Sequence, residues 1–161
     1  MSPTATHPNP GLPRRLAARA LDITLLVAVA VGFGNVIGFG YDWLGITAGL
    51  VLVYFAGLDA LFGTTLGKAL LGLRVTAADG RRPTTGQALI RESFTVLGAV
   101  PYAGPFLALG AWTWIVLTIR SSPLGQGVHD MLAGGTRVVR TGELYKAKEF
   151  DSLGPSQELS R

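Results

Sequence analysis

Long apolar runs alternate with short charged stretches along this chain. From Ile23 to Gly40 it reads ITLLVAVAVGFGNVIGFG without a charge, about 18 residues. At 1.5 Å per residue that crosses most of a hydrocarbon core. The pattern predicts a first membrane span over roughly 16–39, a turn at GYD (40–42) and a second span from about Trp43 to Phe62. Tyr41 and Trp43 suit an interfacial belt. A third uncharged stretch runs from Ser93 to Ile119, but Pro101 and Pro105 divide it, and PYAGP reads as a turn. It forms either one kinked span or two shorter ones, roughly 86–102 and 104–120.

Between the second and third apolar runs the period changes. Leu73, Val75 and Ala77 alternate with Arg74 and Thr76, as in a short strand, and Ala78-Asp79-Gly80-Arg81 signals a turn. Thr84 or Thr85 can cap a following helix, GQALIRES. Thr136 to Val139 is also β-prone and can pair with Leu73–Thr76. Residues 1–13 hold four prolines and read as a disordered cytoplasmic arm, and 141–161 reads as a polar, fraying tail. The domain between them covers 14–140.

Basic residues choose between the topologies. Arg14, Arg15 and Arg19 lie at the start of the first span. Lys68, Arg74, Arg81 and Arg82 lie between the second and third, and Arg120, Arg137, Arg140, Lys146 and Lys148 follow the last. The connections GYD and PYAGP hold none. Four spans put every basic cluster on the cytoplasmic side, with both termini there; three spans, the alternative, strand the last cluster outside. The expected fold is an all-α membrane protein, a four-helix transmembrane bundle with a small cytoplasmic β element.

Composition agrees. Only 15% of the 161 residues are charged, and the mean hydropathy is +0.40. The 22 glycines allow close helix approach in lipid, and GxxxG spacings occur at Gly34–Gly38, Gly45–Gly49 and Gly63–Gly67. Ordinary tight packing accounts for them better than a dedicated dimer motif. The absence of cysteine excludes disulfides, thiolate metal sites and a cysteine nucleophile. The net charge of +4 follows from the positive-inside bias, and no nucleic-acid motif accompanies it. No convincing secretory signal precedes the first span, which is expected to stay in the mature protein.

The remaining chemistry is a set of charges at one predicted height: Arg15, Arg19 and Asp22 at the start of the first span, Asp59 near the end of the second, Arg91 and Glu92 at the start of the third, and Asp130 after the last. Such charges face protein or water rather than lipid. Arg15, Arg19 and Asp22 share one helix face, so Asp22 reads first as a paired, structural acid. Arg15 and Asp22 are about 10 Å apart along the axis, too far for contact unless Arg15 extends or a third group, for which Asp130 is a candidate, bridges them. Asp59 has no base within one turn. Unless Lys68 reaches it, it is a candidate proton or cation site, as Asp22 is in the functional reading. His129-Asp130 offers too few ligands for a metal. GTTLGKALLG is not a phosphate loop, because Ala69 stands where Ser or Thr is required. No enzyme motif and no cofactor motif emerges.

Three blocks carry a resemblance: RRLAARALD, then GTTLGKALLGLRVTAADGRRPTTGQALIRE from Gly63 to Glu92, then GQGVHDMLAGGTRVV. Together they resemble the RDD family of small integral membrane proteins, over roughly 14–140. The resemblance gives Arg15, Asp22 and Asp130 the roles of the arginine and two aspartates that name that family. It implies a bacterial plasma-membrane protein, transport-associated through cation or proton exchange. Four short helices are few for a carrier, so that role calls for a homo-oligomer. The alternative is a non-transporting scaffold or regulator of a partner membrane protein.

Overall fold

The computed structural model describes residues 10–145. Most of the expected N-terminal arm and residues 146–161 of the expected tail lie outside that range. Residues 141–145, assigned to the tail, are helical.

Two helices are long and apolar enough to cross a membrane: α1 (Leu12–Ile37) and α2 (Tyr41–Phe62). Helix α1 begins before the apolar period does. Pro13 sits in its first turn, where a missing N–H costs nothing. Arg15 and Arg19 therefore ride on the same rod as the span. Helix α2 ends at Gly63 in the left-handed region (φ 69°). Its last carbonyls accept from two arginines, Arg74 at Phe62 and Arg82 at Leu61. The indole of Trp43 donates to the Ala30 carbonyl of α1 at 2.8 Å, so it clasps the two helices together.

Next come α3 (Leu66–Leu70), capped by the Thr65 side chain, and β1 (Leu73–Thr76). The expected turn follows, with the Gly80 N–H bonded to the Ala77 carbonyl. Strand β1 pairs antiparallel with β2 (Arg137–Arg140), Leu73 opposite Arg140 and Thr76 opposite Arg137. The strand pairing read from the sequence thus forms, but Thr136 stands just before β2 and turns its hydroxyl to Asp130.

The expected third span, 86–102, is not one helix. Helix α4 (Thr85–Glu92) starts at a Thr84–Gln87 capping box and is only eight residues long. Residues Ser93–Ala99 then wind as a 3-10 helix, η1. The hydroxyls of Ser93 and Thr95 donate to the carbonyls of Ile90 and Glu92, which an α-helix would use in its own ladder. Helix α5 (Gly104–Ser121) and the short α6 (Val128–Leu132) complete the fold.

The Tyr41 and Tyr102 hydroxyls lie 3.1 Å apart, so the turns before α2 and before α5 sit together at one end. The buried charges, α3, the sheet and α6 gather at the other. Helix α4 packs on α2, η1 packs between α2 and α5, and α3 packs on α1. The outer surface is apolar: Val36, Phe106 and Val53 are 84%, 77% and 70% exposed. Asp22, Asp59, Glu92 and Asp130 are all at most 2% exposed. Apolar residues outside and charges inside is the distribution lipid demands.

At the tyrosine end, a Cβ on Gly104 would stand 2.3 Å from the Gly98 carbonyl oxygen of η1. Backbone cannot yield there as a side chain would. Gly104→Val is expected to cost about 1–3 kcal/mol through overpacking, read as a lower unfolding temperature in detergent micelles. Gly110→Val, where a Cβ meets nothing within 4 Å, is the matched control.

Candidate functional site

Asp130 ties three parts of the chain together. Its Oδ2 accepts from the Gly127 N–H and from Arg15 of α1, each at 3.1 Å. Its Oδ1 accepts from the Thr136 hydroxyl at 3.2 Å and lies 3.1 Å from Nε of Arg91 on α4. The other Arg15 nitrogen donates to the Gly125 carbonyl.

Asp59 is paired as well. Lys68 Nζ lies 2.7 Å from both of its oxygens, and Arg91 Nη1 is 3.7 Å away. Of the two alternatives for Asp59, the one in which Lys68 reaches it is found, and an acid without a cation is not. Lys68 is nine residues along, but the turn at Gly63 and helix α3 fold it back over the end of α2. Burial, helped by the nearby Arg91 charge, pushes the Lys68 ammonium below its ordinary range, against the pull of Asp59.

Arg19 pairs with Glu92 of α4, at 2.8 Å. Its guanidinium carbon lies over the Phe55 ring, 3.4 Å from the centroid, with Trp112 and Phe94 at 5.2 and 5.7 Å. Aromatic faces on several sides take the place of the water a guanidinium would otherwise hold.

Asp22 does not join Arg15, and the expected Arg15–Asp22 unit bridged by Asp130 is not formed. No cation lies within ion-pair distance of Asp22 among the described residues. The Tyr54 hydroxyl and the Gly67 N–H donate to Oδ1, each at 2.7 Å, and the Thr65 hydroxyl donates to Oδ2. The seat depends on Gly67. A Cβ there would stand 2.2 Å from the Ala18 carbonyl and 3.0 Å from the carboxyl carbon of Asp22. Only glycine lets α3 come this close to α1.

Of the charged residues singled out from the sequence, all but Asp22 are joined in ion pairs, and Asp22 is held by neutral donors instead. Sequence reasoning missed Tyr54, Thr65 and Gly67 as the seat of Asp22, and Phe55, Phe94 and Trp112 around Arg19. Thr65 and Gly67 stood inside the GTTLGK block, and their small polar character was the available signal. Tyr54 was a hydroxyl in the middle of an apolar run, a signal of the same kind.

No three His, Cys, Asp or Glu side chains gather to hold a metal among the described residues. Burial pushes the His129 imidazole down to about 4, so it is neutral at pH 7. For Asp130, burial would raise the pKa, but Arg91 and Arg15 outweigh it and hold the carboxyl well below its ordinary value.

A match to the RDD family covers residues 9–134, and the chain belongs to that family. With its two apolar helices, it is a membrane protein. No curated protein and no solved structure matches the chain.

The two shifts give the fold a pH dependence with a definite sign. The unfolded His129 takes a proton below its ordinary value of 6.5, whereas the folded one waits until about 4. Stability is therefore lost as pH falls through that interval. A second loss follows below the ordinary Asp130 value of 3.8, as the depressed carboxyl is forced to protonate. Unfolding temperatures in micelles should fall in both windows, and His129→Gln should flatten only the upper one.

Proposed function

We propose that this protein is a transport-associated subunit of a bacterial plasma membrane, exchanging a cation or a proton at Asp22 within an oligomer. One observation carries the reading. Asp59, Glu92 and Asp130 have cations in contact, whereas Asp22 is buried among uncharged donors alone. A buried carboxylate held by neutral donors alone is the one acid of the four that a mobile cation can still approach as its counter-ion. Its two hydroxyl partners are both donors and acceptors. By turning their protons away, Tyr54 and Thr65 can offer oxygen to a hard cation beside the carboxylate. A proton on Asp22 competes for the same place, which makes the two occupancies exclusive.

The topology in this reading has four passes, with both termini and the charged end on the cytoplasmic side. The basic clusters support that orientation. The pass through α4 and η1 is broken and too short for an independent carrier, so a second copy completes the path. Gly45 and Gly49 stand on an open face of α2, where an added Cβ meets nothing within 4 Å. That face also favours a second reading, a non-transporting scaffold or regulator that docks a partner membrane protein.

Reconstituted vesicles separate the two readings. With a pH gradient imposed, cation-driven proton flux is expected from the native protein and lost in Asp22→Asn, which keeps its fold because the neighbouring hydroxyls can accept from an amide. Asp59→Asn is expected to act on folding instead, costing about 3–5 kcal/mol by stranding Lys68. Unchanged flux in a folded Asp22→Asn protein refutes the exchange reading. A partner that is lost on Gly45→Leu with Gly49→Leu, in a protein that carries no flux, establishes the scaffold.

A further inference from the structure

Two cavities meet at Arg19. The lower, about 60 Å³, opens at the charged end, with Arg15, Lys68, Arg91 and Glu92 in its wall. The upper, about 200 Å³, runs between α1, α2 and α5 and is lined chiefly by apolar side chains such as Leu26, Val27 and Val51. Arg19, Phe94 and Trp112 belong to both walls. On α1 the upper cavity extends from Arg19 to Ala30, a rise of about 16 Å. That is roughly half of a hydrocarbon core about 30 Å thick. The shape is an apolar groove one leaflet deep that ends in a charged pocket.

The charges state what the pocket accepts. Arg15, Arg19, Lys68 and Arg91 stand in ion-pair reach of three acids, Asp59, Glu92 and Asp130. Asp22, buried on the same helix as Arg19, balances the fourth positive charge, but it lines neither cavity: the walls themselves present four cations and one acid, Glu92. Three of the network's donors also make no hydrogen bond of good geometry. Nε of Arg19, and Nε and Nη1 of Arg91, are buried without a hydrogen-bond acceptor, although Arg91 is within ion-pair reach of Asp59 and Asp130. The Arg91 side chain is only 4% exposed. Buried guanidinium donors without a well-aligned acceptor are costly, and an anion between them removes the cost. Oε2 of Glu92 also lacks a hydrogen bond, but its charge is answered by Arg19 at 2.8 Å.

We propose that this groove is a binding site for an anionic phospholipid of the surrounding bilayer. One acyl chain lies along α1 against Val27 and Leu26, and the phosphate is held by Arg19 and Arg91. A zwitterionic lipid fits the groove equally well but brings an ammonium group toward four cations, so headgroup charge sets the preference. The site is independent of exchange at Asp22 and stands whether or not the protein transports.

Trp112, in both walls, is the reporter. The full chain carrying Trp43→Phe and Trp114→Phe is titrated in micelles with phosphatidylglycerol or phosphatidylcholine brominated on the acyl chains. Saturable quenching is expected at about tenfold lower mole fraction for phosphatidylglycerol, the worth of one charged hydrogen bond. Arg19→Gln should bring the two lipids level. Val27→Phe, at a half-exposed position, fills the groove without touching a charge and should abolish saturable quenching by either lipid at an unchanged unfolding temperature. It serves alone if Arg19→Gln does not fold. Equal quenching by both lipids in the native sequence, or a preference that survives Val27→Phe, overturns the proposal.

Discussion

Four carboxylates are buried inside a bundle whose outside is apolar, and the rest of the structure follows from that constraint. Neither lipid nor a dry core can solvate them, so each must be answered by protein. The answers come from different elements in every case. Asp130 joins α1, α4 and the approach to β2; Asp59 joins α2, α3 and α4; Glu92 joins α4 to α1; Asp22 joins α1, α2 and α3. Helices that touch lipid gain little from hydrophobic burial against one another. Here the charges supply the specificity of assembly at one end, and close backbone contacts such as Gly104 on Gly98 supply it at the other.

Once the pairs are assigned, what remains unpaired acquires meaning. Three acids take all four cations, which leaves Asp22 with neutral donors and the arginines with N–H groups that make no hydrogen bond of good geometry. A structural lock and two chemically open positions therefore arise from the same set of residues. Exchange of a proton or cation is proposed at Asp22, and binding of an anion is proposed in the pocket at Arg19. Asp22 and Arg19 lie on one helix, less than one turn apart along α1.

Much of this was legible beforehand, for physical reasons. Charge-free runs as long as Ile23–Gly40 have few alternatives, and charges beside them must converge on protein. The strand pairing was legible from alternation and a turn signal. Pairing within the network was not. Lys68 reaches Asp59 only because α3 folds back against α1, and it does so because Gly67 admits the Ala18 carbonyl. No periodicity encodes that approach. The break of the expected third span into α4 and η1 was hidden for a different reason. Its composition is apolar enough for a span, but the hydroxyls of Ser93 and Thr95 compete for the carbonyls an α-helix needs.

The central claim is that the buried pairs act as units, so that the loss of both partners costs less than the two single losses added together. Lys68 and Asp59 test it most directly, since both oxygens lie 2.7 Å from the ammonium nitrogen. Unfolding free energies in micelles would be measured for Lys68→Met, for Asp59→Leu and for the double variant. The account predicts that the double variant is less destabilised than the sum of the singles, by about 1–3 kcal/mol. Single effects that add to within about 0.5 kcal/mol would contradict it.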